Sequence, residues 1–168
     1  NANRVRDAAS FLKAIWADYP DGTEQIAAVS SFAQQLFQMT TELSAEALAE
    51  RGVNKDWLYD QALGLFNDLL VAAPEAVLAP EIAFSAVSLL FEREKYADAS
   101  KRALASISTY SNSHFRDSFA YLAASSLYFE RRFGDAAKYC ATVAERDCLQ
   151  PNGTVGPSRY RDYALHML

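Results

Sequence analysis

Few residues in this 168-residue chain have the types and spacing that catalysis requires. The histidines are His114 and His166, and the cysteines are Cys140 and Cys148. They form no HExxH motif and no spaced set of metal ligands, so the sequence pattern of a zinc site is missing. Phosphate-binding patterns such as GxGxxG are missing as well. We therefore predict that the protein is not an enzyme, has no catalytic residues and binds no metal or cofactor.

The remaining reactive residue types fit structural roles. Glu42, Glu46 and Glu50 recur every fourth residue, which predicts a solvated helix face rather than an acid–base pair. Cys140 lies in an apolar helical pattern, where a thiol packs as a small apolar group. On one helix Cys140 and Cys148 would lie roughly 12 Å apart, so a disulfide requires the chain to turn back between them. The sequence leaves that pairing open.

The charge of the chain bears on its partners. The net charge is −5 and the isoelectric point is about 5.0, whereas nucleic-acid modules are usually basic. The longest uncharged run, 25–41, has four glutamines and is too short and too polar to span a bilayer. We predict no nucleic-acid partner and no direct membrane insertion. Five arginines could form an anion-binding patch if the last two units stack. They could instead interact with helix dipoles at helix ends and keep the surface soluble. They are Arg116, Arg131, Arg132, Arg159 and Arg161.

Apolar residues recur at helical spacing along nearly the whole chain. The predicted helices cover about 3–19, 23–51, 55–73, 80–94, 96–108, 113–131, 133–146 and 158–168. Residues 20–22 are predicted to end the first helix, Thr23 to cap the second, and Asn54 to cap the third. A break is predicted near Ser44. No strand is predicted, and 147–158 is predicted as a loop.

A pattern of four positions recurs with a period of 37 residues. Each copy has an aromatic residue, an alanine three residues later, and two further apolar positions at intervals of four. The copies are Tyr59, Ala62, Phe66 and Leu70; Tyr96, Ala99, Ala103 and Ile107; and Phe133, Ala136, Cys140 and Ala144. These intervals place the positions on one helix face, where alanine lets another helix approach closely. A repeated helix pair predicts a solenoid, in which neighbours bury each other's apolar faces.

A second phrase also recurs, as SHFRD at Ser113 and SRYRD at Ser158, each time before an apolar run. The last copy indicates that a new unit begins near the end of the sequence. We therefore predict one all-α domain over 1–168. Its predicted parts are N-terminal helices over 1–52, core repeats over 53–146, and the start of a further repeat or a capping helix over 158–168.

These features resemble the tetratricopeptide-repeat family, whose unit is an antiparallel helix pair. The matching residues are Ala86, Ala123 and Ala124 in the first helix of a unit, Tyr96, Ala99, Phe133 and Ala136 at the start of the second, and Pro74 after it. The family's usual glycine before the aromatic is missing, and other helix-pair solenoids stay open. The resemblance implies an all-α fold, a right-handed superhelix of stacked antiparallel helix pairs with N-terminal capping helices.

The resemblance also implies a function. In this family the first helices of successive units line a concave groove that receives a peptide or a partner helix. The residues that it places there are Phe84, Ser88, Phe91, Tyr121, Ser125 and Tyr128. We predict a non-catalytic scaffold that binds a protein or peptide partner within a larger assembly. A self-associating architectural domain is the alternative, and Phe84 and Tyr121 could instead pack between units.

The order and spacing of residue types in the segment 109–140 are similar to those of bacterial cell-envelope members of the family. This similarity favours the periplasm over the cytoplasm. Cytosolic scaffolds show the same order and spacing, so the sequence does not decide the compartment.

Overall fold

The computed structural model describes residues 4–18 and 22–168, and the predicted all-α class is confirmed for them. The elements are α1 Arg4–Asp18, α2 Thr23–Glu42, α3 Ala45–Glu50, α4 Lys55–Ala72, α5 Ala79–Glu92, α6 Tyr96–Thr109, α7 Arg116–Phe129, α8 Phe133–Glu145, β1 Asp147–Leu149, β2 Val155–Pro157 and α9 Arg161–His166. The chain divides into two compact units, Asn1–Ala86 and Val87–Leu168. The boundaries predicted at 52, 146 and 158 stay predictions.

Local signals set several helix boundaries. Asn54 caps α4, because its side-chain oxygen accepts a backbone N–H of the first turn at 2.8 Å. Ser44 caps α3 in the same way, so the predicted break at this point is confirmed. Thr23 is the first residue of α2, and its predicted role as the cap is wrong, since Gly22 holds that position. The predicted end of the first helix at 20–22 lies mostly outside the described residues.

The phrases SHFRD and SRYRD form the same turn. In each copy the serine hydroxyl accepts the backbone N–H two residues later, at 3.2 Å for Ser113 and 3.1 Å for Ser158. Each serine carbonyl accepts the backbone N–H of the arginine three residues later, at 3.1 Å. Helices α7 and α9 therefore begin at Arg116 and Arg161, three residues after the predicted starts.

Helices α5 and α7 also end in the same turn. Glu94 and Arg131 have left-handed backbones, with φ of 58° and 62°. In each turn the following residue donates its backbone N–H to the carbonyl five residues back, at 2.9 Å, which is a Schellman motif. The two turns lie 37 residues apart, so Phe91 on α5 corresponds to Tyr128 on α7. Glutamate and arginine thus hold a conformation that usually takes glycine.

In the first unit α2 packs on α4, and α1 lies beside α2. The buried apolar residues of this pair are Ile26, Val29, Ala33, Leu36, Leu58, Ala62, Leu65, Phe66 and Leu69. Arg6 of α1 donates from Nε to the carbonyl of Gly52 at 2.8 Å, and its guanidinium lies over the ring of Trp57. The N-terminal helix is thereby tied to the start of α4.

In the second unit α6 packs on α7, α7 on α8, and α8 on α9. Helix α7 is central, and every residue from Ser118 to Leu127 except Tyr121 is buried. The apolar character of this helix on all sides predicts such burial. The alanines of the 37-residue pattern, Ala99 and Ala136, are also buried.

The segment after α8 forms a short antiparallel hairpin of β1 and β2. The prediction of a strandless loop over 147–158 is therefore wrong. The Gln150 side chain donates to the carbonyls of Gly156 and Pro157 and holds the strands together. At the tip the side chain of Asn152 accepts the backbone N–H of Thr154 at 3.1 Å, which is the turn chemistry expected of an Asn-Gly pair.

Candidate functional site

A cavity of about 460 Å³ in the second unit is lined by four of the six residues predicted to bind a partner. Phe91 comes from α5, whereas Tyr121, Ser125 and Tyr128 come from α7. Intervals of four and three residues place the α7 side chains on one helix face. Phe129 and residues 166–168 complete the wall. We call this space the aromatic cavity.

The other two predicted residues are placed differently. Ser88 is half-buried on α5 and is not part of the wall of the aromatic cavity. Phe84 is half-buried and belongs to the first unit. The residues that the sequence missed are Phe129 and those at the end of the chain. The repeated phrase, which begins at Phe91 and again at Phe129, is a signal that could have found Phe129.

Two of the predicted residues are engaged by the end of the chain. The ring of Tyr121 stacks on the ring of Tyr160, with centroids 4.6 Å apart and planes 7° apart. Ser125 is buried, and its hydroxyl donates to the sulfur of Met167 at 3.9 Å. For Tyr121, the geometry thus includes the packing between helices that the sequence leaves as an alternative.

The mouth of the cavity is aromatic and exposed. Tyr128 and Phe129 are 46% and 53% exposed. Phe129 stacks on Tyr96 with ring centroids 4.6 Å apart, and Tyr128 meets the edge of Phe133 at 5.3 Å. Phe91 contacts both Tyr96 and Phe129. We call these five linked rings the aromatic edge.

Charged groups near this edge are mostly paired. Asp135 accepts hydrogen bonds from Lys138 at 3.1 Å and from Arg132 at 2.9 Å, and these bonds hold the pKa of its carboxyl below the ordinary value. Glu130 accepts the Ser100 hydroxyl at 2.5 Å. Tyr128, Phe129 and Phe133, each about half exposed, therefore present apolar ring surface that a partner could cover.

The described residues have no group of three or more histidine, cysteine or carboxylate side chains that could hold a metal ion. His114 lies against the ring of Phe115, and His166 lines the aromatic cavity. None of the helices within 4–18 and 22–168 combines the length and the apolar character needed to cross a bilayer.

No model of a known protein family matches this chain, and no curated protein and no solved structure matches it. The resemblance to tetratricopeptide repeats therefore stays a prediction.

Proposed function

We propose that the protein is a non-catalytic scaffold of the tetratricopeptide-repeat type, which binds a protein or peptide at the aromatic cavity within a larger assembly. The observation that carries this proposal is the position of Tyr128 and Phe129, which are exposed at the mouth of a cavity of about 460 Å³. Rigid aromatic side chains supply a large share of the binding energy at protein interfaces. A cavity beside them can receive an anchoring side chain.

The repeat geometry supports the proposed family. Two Schellman turns lie 37 residues apart, at Glu94 and Arg131, and each precedes the aromatic that opens the next helix. The SHFRD and SRYRD turns start α7 and α9 alike. Helix α9 packs on α8, as the first helix of a further unit does in such a stack.

The chemistry of the cavity favours an extended apolar segment or the apolar face of an amphipathic helix. Its wall combines the rings of Phe91, Tyr121, Tyr128 and Phe129 with the hydroxyl of Ser125. An apolar anchor buried there would remove aromatic surface from water, which stabilises a complex by about 25 cal/mol per Å² before the costs of association.

A photo-cross-linking amino acid at position 128 tests the proposal, with position 11 as the matched control. Phe11 is a surface aromatic of the first unit and is 66% exposed. We expect a specific partner to be cross-linked from position 128 and not from position 11. The double variant Tyr128→Ala, Phe129→Ala should lose that partner, while Phe11→Ala keeps it. Retention of the partner by the double variant rules out the aromatic cavity as the binding site.

A variant at Tyr121 is a poor test, because truncation of this ring also removes its stack on Tyr160. Loss of binding would then have two explanations. Phe129→Ala likewise removes a stack, on Tyr96, so circular dichroism melting must show that the double variant is folded. Tyr128→Ala alone leaves that stack in place, and it should also weaken binding of the partner.

Self-association is the second candidate function, and exposed apolar residues at the end of the chain favour it. Tyr163, Leu165 and Leu168 are each more than half exposed. A second copy of the chain could cover them. Sedimentation equilibrium should then show a dimer that Leu165→Glu converts to monomer. A wild-type chain that stays monomeric at all concentrations dismisses this candidate.

A further inference from the structure

A second cavity of about 460 Å³ lies where the C-terminal ends of α6 and α8 meet the start of α7 and the β1–β2 hairpin. It has no lining residue in common with the aromatic cavity. Arg116, the first residue of α7, and Arg146, which directly follows α8, both line it. We call it the arginine pocket. Its volume lies in the range of small-molecule sites.

We propose that the arginine pocket binds a small amphipathic acid, in which a carboxylate is joined to an apolar body. Within the part of the chain that the structure describes, neither the Arg116 nor the Arg146 guanidinium has a hydrogen bond or an ion pair. Each guanidinium carries five N–H donors in a planar fork that matches a carboxylate. Both arginines are exposed, so the pocket offers two charged groups whose donors are open to solvent and have no partner among the residues that the structure describes.

The two aspartates of the lining do not form ion pairs with Arg116 or Arg146. Asp147 accepts a charged hydrogen bond from Arg161 at 3.2 Å, and Asp117 accepts the hydroxyl of Ser158. The lining holds two arginines and two aspartates, and Asp147 pairs with Arg161, which lies outside the lining. Cys148 adds no negative charge, since burial and the charge of Asp117 raise the pKa of its thiol. A bound carboxylate would therefore give Arg116 and Arg146 the ion pair that the two aspartates do not supply.

The remainder of the wall is apolar. Ala120 and Val143 belong to the buried cluster between α7 and α8, and Ile107 packs against it. Leu149 and Val155, which pair across the hairpin, also line the pocket although they are 38% and 72% exposed. A hydrocarbon chain or ring would cover these side chains. A purely polar anion would leave them in water, and a neutral apolar molecule would leave both arginines unpaired.

Sodium octanoate is a suitable probe, and octanol is the matched neutral molecule. Binding of each is measured by backbone-amide NMR shifts on the whole chain. We expect saturable shifts from octanoate, confined to residues that line the arginine pocket and their chain neighbours, and binding of octanol that is at least tenfold weaker. Arg116→Gln and Arg146→Gln should each weaken octanoate about tenfold, which corresponds to about 1.4 kcal/mol. Arg131→Gln, at an exposed arginine outside the pocket, should leave the affinity unchanged.

Equal affinity for octanoate and octanol, or wild-type affinity in both glutamine variants, overturns the proposal. Shifts that spread over the chain without saturation overturn it too. Circular dichroism melting checks that each variant is folded, and Arg116→Lys, which keeps the charge but loses the fork, should bind more tightly than Arg116→Gln.

An acidic side chain of a partner protein offers the same chemistry as a free acid. A blocked pentapeptide with one glutamate among leucines separates these sources. Tighter binding of the peptide than of octanoate assigns the pocket to a partner segment, and weaker binding assigns it to a free acid. The arginine pocket and the aromatic cavity are tested by different variants. The proposal for one can therefore be refuted while the proposal for the other stands.

Discussion

Tyr121 of α7 and Tyr160 of the turn before α9 lie face to face, with ring centroids 4.6 Å apart. Tyr160 is the aromatic of the SRYRD turn, and it corresponds to Phe115 in SHFRD. The second copy of this phrase therefore directs its aromatic ring onto α7. A residue predicted to face a partner thereby helps to hold the next helix in position.

Removal of this stack should destabilise the protein. We expect Tyr160→Ala to lower the free energy of unfolding by about 1–2 kcal/mol, because it removes a half-buried ring and an aromatic pair. Tyr163→Ala is the matched control, since Tyr163 is 62% exposed, and it should cost about 0.5 kcal/mol or less. Urea denaturation followed by circular dichroism measures both. Equal losses would show that the stack contributes nothing.

The buried alanines of the 37-residue pattern mark close packing of helices. Ala99 on α6 is fully buried, so we expect Ala99→Leu to cost about 1–3 kcal/mol through overpacking. Ala97→Leu, two residues earlier on the same helix, places the same side chain in solvent and should have little effect. If thermal unfolding shows the two variants to be equally stable, α6 does not approach its neighbours as closely as its alanine implies.

The left-handed turns should gain stability from glycine. An L-residue in this conformation costs roughly 1–2 kcal/mol, while glycine loses more chain entropy on folding, about 0.5–1 kcal/mol. We therefore expect Glu94→Gly and Arg131→Gly each to stabilise by about 0.5–1 kcal/mol. Glu94→Ala, which keeps Cβ, should give no such gain. The midpoints of urea denaturation measure the change in stability. Loss of stability in both glycine variants would contradict the prediction.

Cys148 should react slowly with iodoacetamide. Burial, followed by the charge of Asp117 and a hydrogen bond to it, raises the thiol pKa, and only the thiolate reacts. The rate should therefore rise at higher pH than it does for a free thiol. Asp117→Asn removes the negative charge and lowers the pKa, so alkylation at about pH 8 should become faster.

Asp162→Asn is the matched control for that experiment, because Asp162 is the exposed aspartate of the second phrase. It should leave the alkylation rate of Cys148 unchanged. Peptide mass spectrometry separates Cys148 from the buried Cys140. A faster rate in the control, or an unchanged rate in Asp117→Asn, would remove Asp117 as a cause of the pKa shift.

The sequence predicted helices well because their signals are local. Caps such as Asn54 and the regular apolar spacing need only a few neighbouring residues. The hairpin was missed because two strands of three residues each are too short to show alternation. The turns at Glu94 and Arg131 lack the glycine that usually marks them, so the sequence does not show their left-handed backbone.

The candidate site was predictable only in part. The helix period placed Tyr121, Ser125 and Tyr128 on one face, and these residues share one cavity. The stack of Tyr121 on Tyr160 depends on packing between distant segments, which spacing within a helix does not report. The arginine pocket is formed in part by the hairpin, which the sequence did not predict, and Arg146 lies outside every recurring motif of the sequence.

The consecutive packing of α6, α7, α8 and α9 bears on how fast this part of the chain assembles. Each helix meets the one that follows it, so loop closure is short and costs little entropy. Proteins dominated by such neighbouring contacts reach the native state within microseconds to milliseconds. The Schellman turns reverse the chain direction through hydrogen bonds among a few adjacent residues. Helix hairpins can therefore form one after another along the chain.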